Sequence, residues 1–188
     1  MEGELLYAVT AATGPRAFVF DPAQTEHGAG DPSAARSRHL GRAQDEGGRA
    51  MKPVIQRERT GCGIASVAVL AGVTYGRVKR AGNALGIAAE DPRLWSGTQH
   101  VRRLLKQYRL HVSGKRSPFV SWSALPDCAL LAIKWHRAGK RAFWHWVVFG
   151  RERGRAYVLD SKQSLRRHVR TDFGRMKPKW FLVVKRKR

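Results

Sequence analysis

The stretch that decides the fold is Gln56-Arg57-Glu58-Arg59-Thr60-Gly61-Cys62-Gly63, followed by the small and apolar run Ile64 to Ala71. Nearly every residue from Cys62 to Ala71 is apolar or small, which predicts a helix buried on most sides, with Gly72 ending it. Cys62 then stands at the helix start. A thiolate is the reactive form of cysteine, and the positive end of the helix dipole favours negative charge there. A side-chain amide slightly upstream, Gln56, can stand beside the Cys62 backbone N–H and hold the oxyanion of an acyl-transfer intermediate.

Further along, the strand-like run Phe143-Trp144-His145-Trp146-Val147-Val148-Phe149 carries one imidazole, and a second, Tyr157-Val158-Leu159-Asp160, ends in a carboxylate. Cys, His and Asp in that order suit a thiol hydrolase: Cys62 as nucleophile, His145 as base, Asp160 as the group that orients the base. Of the other six histidines, His136 at a strand end is the best competitor for the base role. Cys62 alone would read as a structural thiol, because free cysteines are usually buried. The four residues together carry the signal.

The pattern Gln-x5-Cys-Gly, His-Trp-Val-Val and Val-Leu-Asp resembles the double-glycine leader peptidases and their stand-alone relatives, a bacterial branch of the papain-like cysteine peptidases, from about Val54 to the C-terminus. The resemblance implies a peptide or protein substrate, no cofactor, and the same roles for Gln56, Cys62, His145 and Asp160. Where that family commonly has an acidic residue just before the cysteine, this chain has Gly61. The bacteriocin-processing members are usually fused to a membrane transporter. No apolar run here reaches the roughly 18 residues that span a bilayer.

Length favours one domain with a substantial core. The 188 residues carry a net charge of +22, unevenly spread: residues 1–50 hold five Arg and seven acidic residues, the remainder 31 basic and 7 acidic. Residues 21–50 are Gly, Ala, Pro, Asp, Arg and Ser with almost no bulky apolar side chain, so burial cannot offset the entropy of ordering them. Residues 1–50 are expected to be a disordered tail or an extension, with Met51 as the physiological start, and 51–188 to be the folded domain. An excess of positive charge of that size implies salt-dependent contact with a polyanion, or a purely solubilising surface. The second function class is therefore a catalytically idle papain-like binding module that recognises nucleic acid or another polyanion.

Two cysteines, Cys62 and Cys128, are too few for a disulfide framework, and Met1-Glu2-Gly3-Glu4 lacks the positive start of a signal peptide. A cytoplasmic location follows. Cys128 is expected to be a buried small hydrophobe, and no Cys-x-x-Cys or His-x-x-x-His pair suggests a metal. Trp122, Trp135, Trp144, Trp146 and Trp180 are read as core rather than as a platform for bases, and Lys185 to Arg188 as a solvated basic block. Oligomeric state is not legible.

A second helix is expected from an N-cap at Thr74 to Gly86, and a third carries Val101, Leu104, Leu105 and Tyr108 on one face. Strands are expected over Ala129–Trp135, Phe143–Phe149, Ala156–Asp160 and Trp180–Val184, with a hairpin loop at Arg151–Arg155. Helices first and antiparallel strands second define an α+β domain with the two-lobed papain-like layout.

Overall fold

The computed structural model describes residues 51–186. The expectations for residues 1–50, and for the last two residues of the basic block, lie outside the described residues. Helix α1 runs Cys62–Ala71, with every residue from Cys62 to Leu70 buried. It packs closely against the next elements: a Cβ on Gly63 would stand 3.1 Å from Val101 Cγ2 and 3.3 Å from the Leu94 carbonyl. Gly72 closes the helix with φ 65°, a left-handed turn that glycine adopts without strain. Helix α2, Tyr75–Ala84, starts from Thr74, whose side chain accepts the Arg77 N–H. Helix α4, Gln99–Gln107, buries Val101, Leu104 and Leu105. Between them lies α3, Arg93–Ser96, a single turn.

Among the described residues seven strands follow: β1 Leu110–Val112, β2 Ser117–Pro118, β3 Cys128–Ala138, β4 Arg141–Glu152, β5 Arg155–Leu159, β6 Val169–Arg170 and β7 Pro178–Arg186. All the pairings are antiparallel, in the order β1-β7-β3-β4-β5-β6, with β2 also against β7. The fold is α+β. Helices precede the sheet along the chain, as the change of hydrophobic period implies.

Alternation along the central strands feeds two cores. Leu130, Ala132, Trp144, Trp146 and Val148 pack with the helices. Leu131, Ile133, Val147, Phe149 and Val158 form the second core, against which Trp122 and Phe173 pack. Trp144, Trp146 and Trp180 meet edge to face, with ring centroids 5.0 to 5.5 Å apart. Trp146 Nε1 donates to the Leu94 carbonyl at 2.7 Å, which ties α3 to β4.

The core reading fails for Trp135, which is 40% exposed, with Lys179 Nζ 5.6 Å from its ring centre. The cause is an irregularity in β3 between Ile133 and His136, where Lys134 takes φ 53° and ends the simple alternation. Beyond it the β3–β4 hairpin projects into solvent, exposed from Lys134 to Arg141. Cys128 also departs from expectation. It is half-buried at the edge of the first core.

Candidate active site

Cys62 is the first residue of α1 and is 4% exposed. The loop before it is pinned from three sides. Thr60 Oγ1 donates to the Ala89 carbonyl at 3.1 Å, and Glu58 accepts from Lys79 Nζ and from Tyr75 Oη, both on α2. Burial works against the Glu58 charge, yet the hydrogen bonds from Lys79 and Tyr75 hold its carboxyl below the usual range.

Gly61 has a spatial explanation. A Cβ there would fall 2.0 Å from Tyr75 Oη and 3.2 Å from Glu58 Oε2. The space beside residue 61 is thus filled by the Glu58 carboxylate and its tyrosine partner, so the loop carries its acid three residues earlier in the chain.

His145 lies in β4 opposite Ile133. Its Nε2 is 2.7 Å from Asp160 Oδ1, and Asp160, just past the end of β5, is 1% exposed. A carboxylate can only accept, so Nε2 carries the proton of that bond and Nδ1 remains for the thiol. Burial pushes the His145 pKa down, but hydrogen bonds to Asp160 and to Cys62, with their negative charge, outweigh it and raise the value to about 9. Burial likewise opposes the charge of Asp160. The bonds from His145, Lys162 N–H and Arg170 nonetheless keep it well below the usual carboxylate range.

The contacts around Asp160 are complete. Oδ1 also takes the Lys162 N–H at 3.1 Å, Oδ2 takes Arg170 Nη1 at 2.7 Å, and the backbone N–H donates to the His168 carbonyl at 2.9 Å. Arg170 is a site residue that the sequence does not single out among its many cations: its side chain is 11% exposed and clamped between Asp160 and Asp172. Arg102 likewise turns inward, donating to the carbonyls of Ser113 and Gly114.

Gln56 is 5% exposed, and its side-chain amide donates to the carbonyls of Glu58 at 3.0 Å and Arg59 at 2.8 Å. Its Oε1 accepts from Ser161 Oγ. Donation to an oxyanion therefore requires exchanging one of the two carbonyls for the new acceptor. His136, the competitor, is exposed, with Nδ1 3.1 Å from the Lys134 carbonyl. A second histidine–carboxylate pair, His100 Nε2 to Asp91 Oδ2 at 3.1 Å, joins α4 to the loop before α3. Among the described residues no group of three or more His, Cys, Asp or Glu is arranged to hold a metal ion, and no helix is long and apolar enough to cross a membrane.

Helices followed by an antiparallel sheet in a similar arrangement also occur in a solved structure. The peptidase domain of Streptococcus ComA, a bifunctional ABC transporter involved in quorum sensing, superposes with a TM-score of 0.50 at 15% identity, covering 73% of this chain and all of that one. The fold is that of this peptidase domain. A double-glycine-motif protease from an AMS/PCAT transporter, solved with its leader peptide, aligns at 19% identity over 73% of this chain and 93% of that one, with a TM-score of 0.41. No family model matches the chain, and no curated protein does. At these identities the comparison speaks to architecture, and the chemistry rests on this chain's own side chains.

Proposed function

We propose that this chain is a cysteine peptidase of residues 51–188, working in the reducing cytoplasm and cleaving peptide or isopeptide bonds. The observation that carries the reading is His145, whose Nε2 is 2.7 Å from Asp160 Oδ1 and whose pKa, against the effect of burial, is raised by Asp160 and by Cys62. Cys62 gives its proton to His145, and the thiolate attacks the scissile carbonyl carbon. The tetrahedral oxyanion is held by the Cys62 N–H and by the Gln56 amide once it exchanges a carbonyl partner. The C–N bond breaks as His145 protonates the leaving amine. Water, deprotonated by His145, then attacks the thioester and releases the acid. An amine in place of water would give acyl transfer from the same site.

The resemblance of the Gln56, Cys62, His145 and Asp160 pattern to the double-glycine leader peptidases makes peptides ending in Gly-Gly the substrates to test. Coumarin-amide peptides ending in Gly-Gly should be hydrolysed by the wild type and not by Cys62→Ala or His145→Ala, which act as one unit and whose losses do not add. Wild-type turnover in Cys62→Ala would end this reading. Iodoacetamide gives a second measure, since Cys128 is the more accessible thiol. Faster labelling of Cys62 would therefore report activation rather than access.

A basic surface supports a second reading, that of a polyanion-binding module. A cavity of about 470 Å³ is lined by Arg166, Arg167, Arg170 and Arg175, and the projecting hairpin presents Lys134, Arg137, Lys140 and Arg141. Cys62 labelling that required added nucleic acid would favour it over hydrolysis.

A further inference from the structure

We propose that Arg170 is a positioning residue of the active site, and that an Asp172–Arg170–Asp160 relay sets both the orientation of Asp160 and the charge felt by His145. The inference rests on the thiol-hydrolase reading of Cys62 and His145. Arg170 belongs to β6, which pairs with β5 and so stands beside the strand that delivers Asp160. Every nitrogen of its guanidinium is committed: Nη1 to Asp160 Oδ2 at 2.7 Å, Nε to Asp172 Oδ1 at 2.9 Å and Nη2 to Asp172 Oδ2 at 2.7 Å. A planar fork held bidentate on one carboxylate has little freedom left, so the third nitrogen presents a fixed donor to the second carboxylate. With Oδ2 held by Arg170 and Oδ1 shared with Lys162 N–H, the Asp160 carboxylate cannot rotate away from His145.

The same contacts have an electrostatic consequence. A bare, buried carboxylate beside an imidazole would stabilise imidazolium strongly and make the base reluctant to release its proton to the leaving amine. Arg170 offsets part of the Asp160 charge, and Asp172 in turn offsets part of Arg170. The three alternating charges form a graded counter-ion for His145. The sequence signal is Arg-x-Asp ten residues after Asp160: Arg170 ends β6, and Asp172, just beyond the strand, turns back to meet its guanidinium.

The test is a titration of the His145 ring by NMR in the full chain, with His145→Gln identifying its resonances, alongside the pH dependence of Cys62 alkylation by iodoacetamide. Arg170→Met removes the positive charge and should raise the His145 transition by roughly one pH unit. Asp172→Asn leaves Arg170 less compensated and should move the transition the opposite way, by less. Arg170→Lys retains the charge but loses the fork, so the titration should stay near the wild type while Gly-Gly peptide hydrolysis falls on the order of 10- to 100-fold. Opposite shifts in Arg170→Met and Asp172→Asn are not expected of a residue that only holds a loop in place. Should Arg170→Met fail to fold, the downward shift in Asp172→Asn carries the test. Titrations indistinguishable from the wild type in the folded variants would overturn the relay, while a Cys62 reactivity that still depended on His145 would leave the peptidase reading standing. If wild-type Cys62 alkylates as an ordinary thiol with or without His145, the hydrolase reading fails and the relay with it.

Discussion

Gln56 and Ser161 hold each other across 105 residues of chain: Ser161 Oγ donates to Gln56 Oε1 at 3.0 Å, and the Gln56 N–H donates to the Ser161 carbonyl at 3.0 Å. Gln56 opens the loop that leads to Cys62, and Ser161 directly follows Asp160. The two bonds therefore couple the segment supplying the nucleophile to the segment supplying the carboxylate. Both residues are buried, so water cannot substitute for either partner without a cost.

The first prediction separates these roles. Gln56→Ala removes a proposed oxyanion donor and should lower turnover by roughly 100- to 1000-fold. Ser161→Ala leaves the Gln56 Oε1 without its donor and should destabilise the domain by about 1–2 kcal/mol, with a smaller loss of turnover. Peptide kinetics and urea unfolding read the two effects. Equal activity losses in both variants would mean that Gln56 acts only by shaping the loop.

The second concerns Gly61. A methyl group there meets Tyr75 Oη, so Gly61→Ala should cost about 1–3 kcal/mol of stability by overpacking. Tyr75→Phe removes the offending oxygen and also the hydrogen bond to Glu58. The double variant should therefore be more stable than the sum of the single losses implies, and thermal unfolding of all four proteins gives the coupling. Strict additivity would show that the clash is relieved elsewhere.

Much of this site was legible because its parts are local. The buried run after Cys62 gives α1 with the expected limits, Thr74 caps α2 as its side-chain chemistry requires, and one imidazole in a strand precedes one strand ending in Asp. What escaped was set by partners distant in the chain. Strands β1 and β6 are three and two residues long and exist only because β7 and β5 offer them backbone groups. Trp135 left the core through a backbone irregularity with no marker in residue type. Arg170 read as one more solubilising cation, since only the fold brings Asp160 to it. The amide bonds of Gln56 to Glu58 and Arg59 were equally out of reach, because they depend on how the loop turns back on itself.

The third prediction is a pH dependence of stability. The folded-state pKa of His145 is raised to about 9, above its ordinary value of 6.5, so the folded protein binds the proton more tightly than the unfolded chain. Its stabilising contribution is fully present below pH 6.5 and is lost as the pH rises through 9, at most on the order of 1–3 kcal/mol. Asp160 acts in the opposite sense. Its depressed pKa contributes above the usual carboxylate range and is lost on acidification below it. Urea unfolding of the wild type should thus weaken from pH 6.5 to 9, while His145→Gln should be nearly flat over that window. A wild-type profile as flat as that of the variant would remove the charged His145 pair.

The fourth prediction tests what the positive charge is for. The remainder of the chain beyond residue 50 holds 31 basic against 7 acidic residues, concentrated in features such as the arginine-lined cavity and the projecting hairpin. Several of these cations already have internal work. Arg102 and Arg103 cap backbone carbonyls, and Arg170 is clamped, so the surface available to a partner is smaller than the sequence count implies. Duplex DNA should therefore bind detectably at low salt and lose affinity steeply as salt rises, since each neutralised phosphate releases about 0.9 counterion. Sequence should matter little, because the described cavity offers guanidinium groups and no aromatic ring to stack a base. Fluorescence anisotropy with two unrelated duplexes across a salt series measures this, and Cys62 alkylation in the same samples shows whether occupancy reaches the thiol. For a solubilising surface, binding fades towards physiological salt and alkylation is unchanged. A sequence-selective complex that survives physiological salt, or a Cys62 that reacts only when nucleic acid is bound, would make polyanion recognition the principal activity and hydrolysis the subsidiary one.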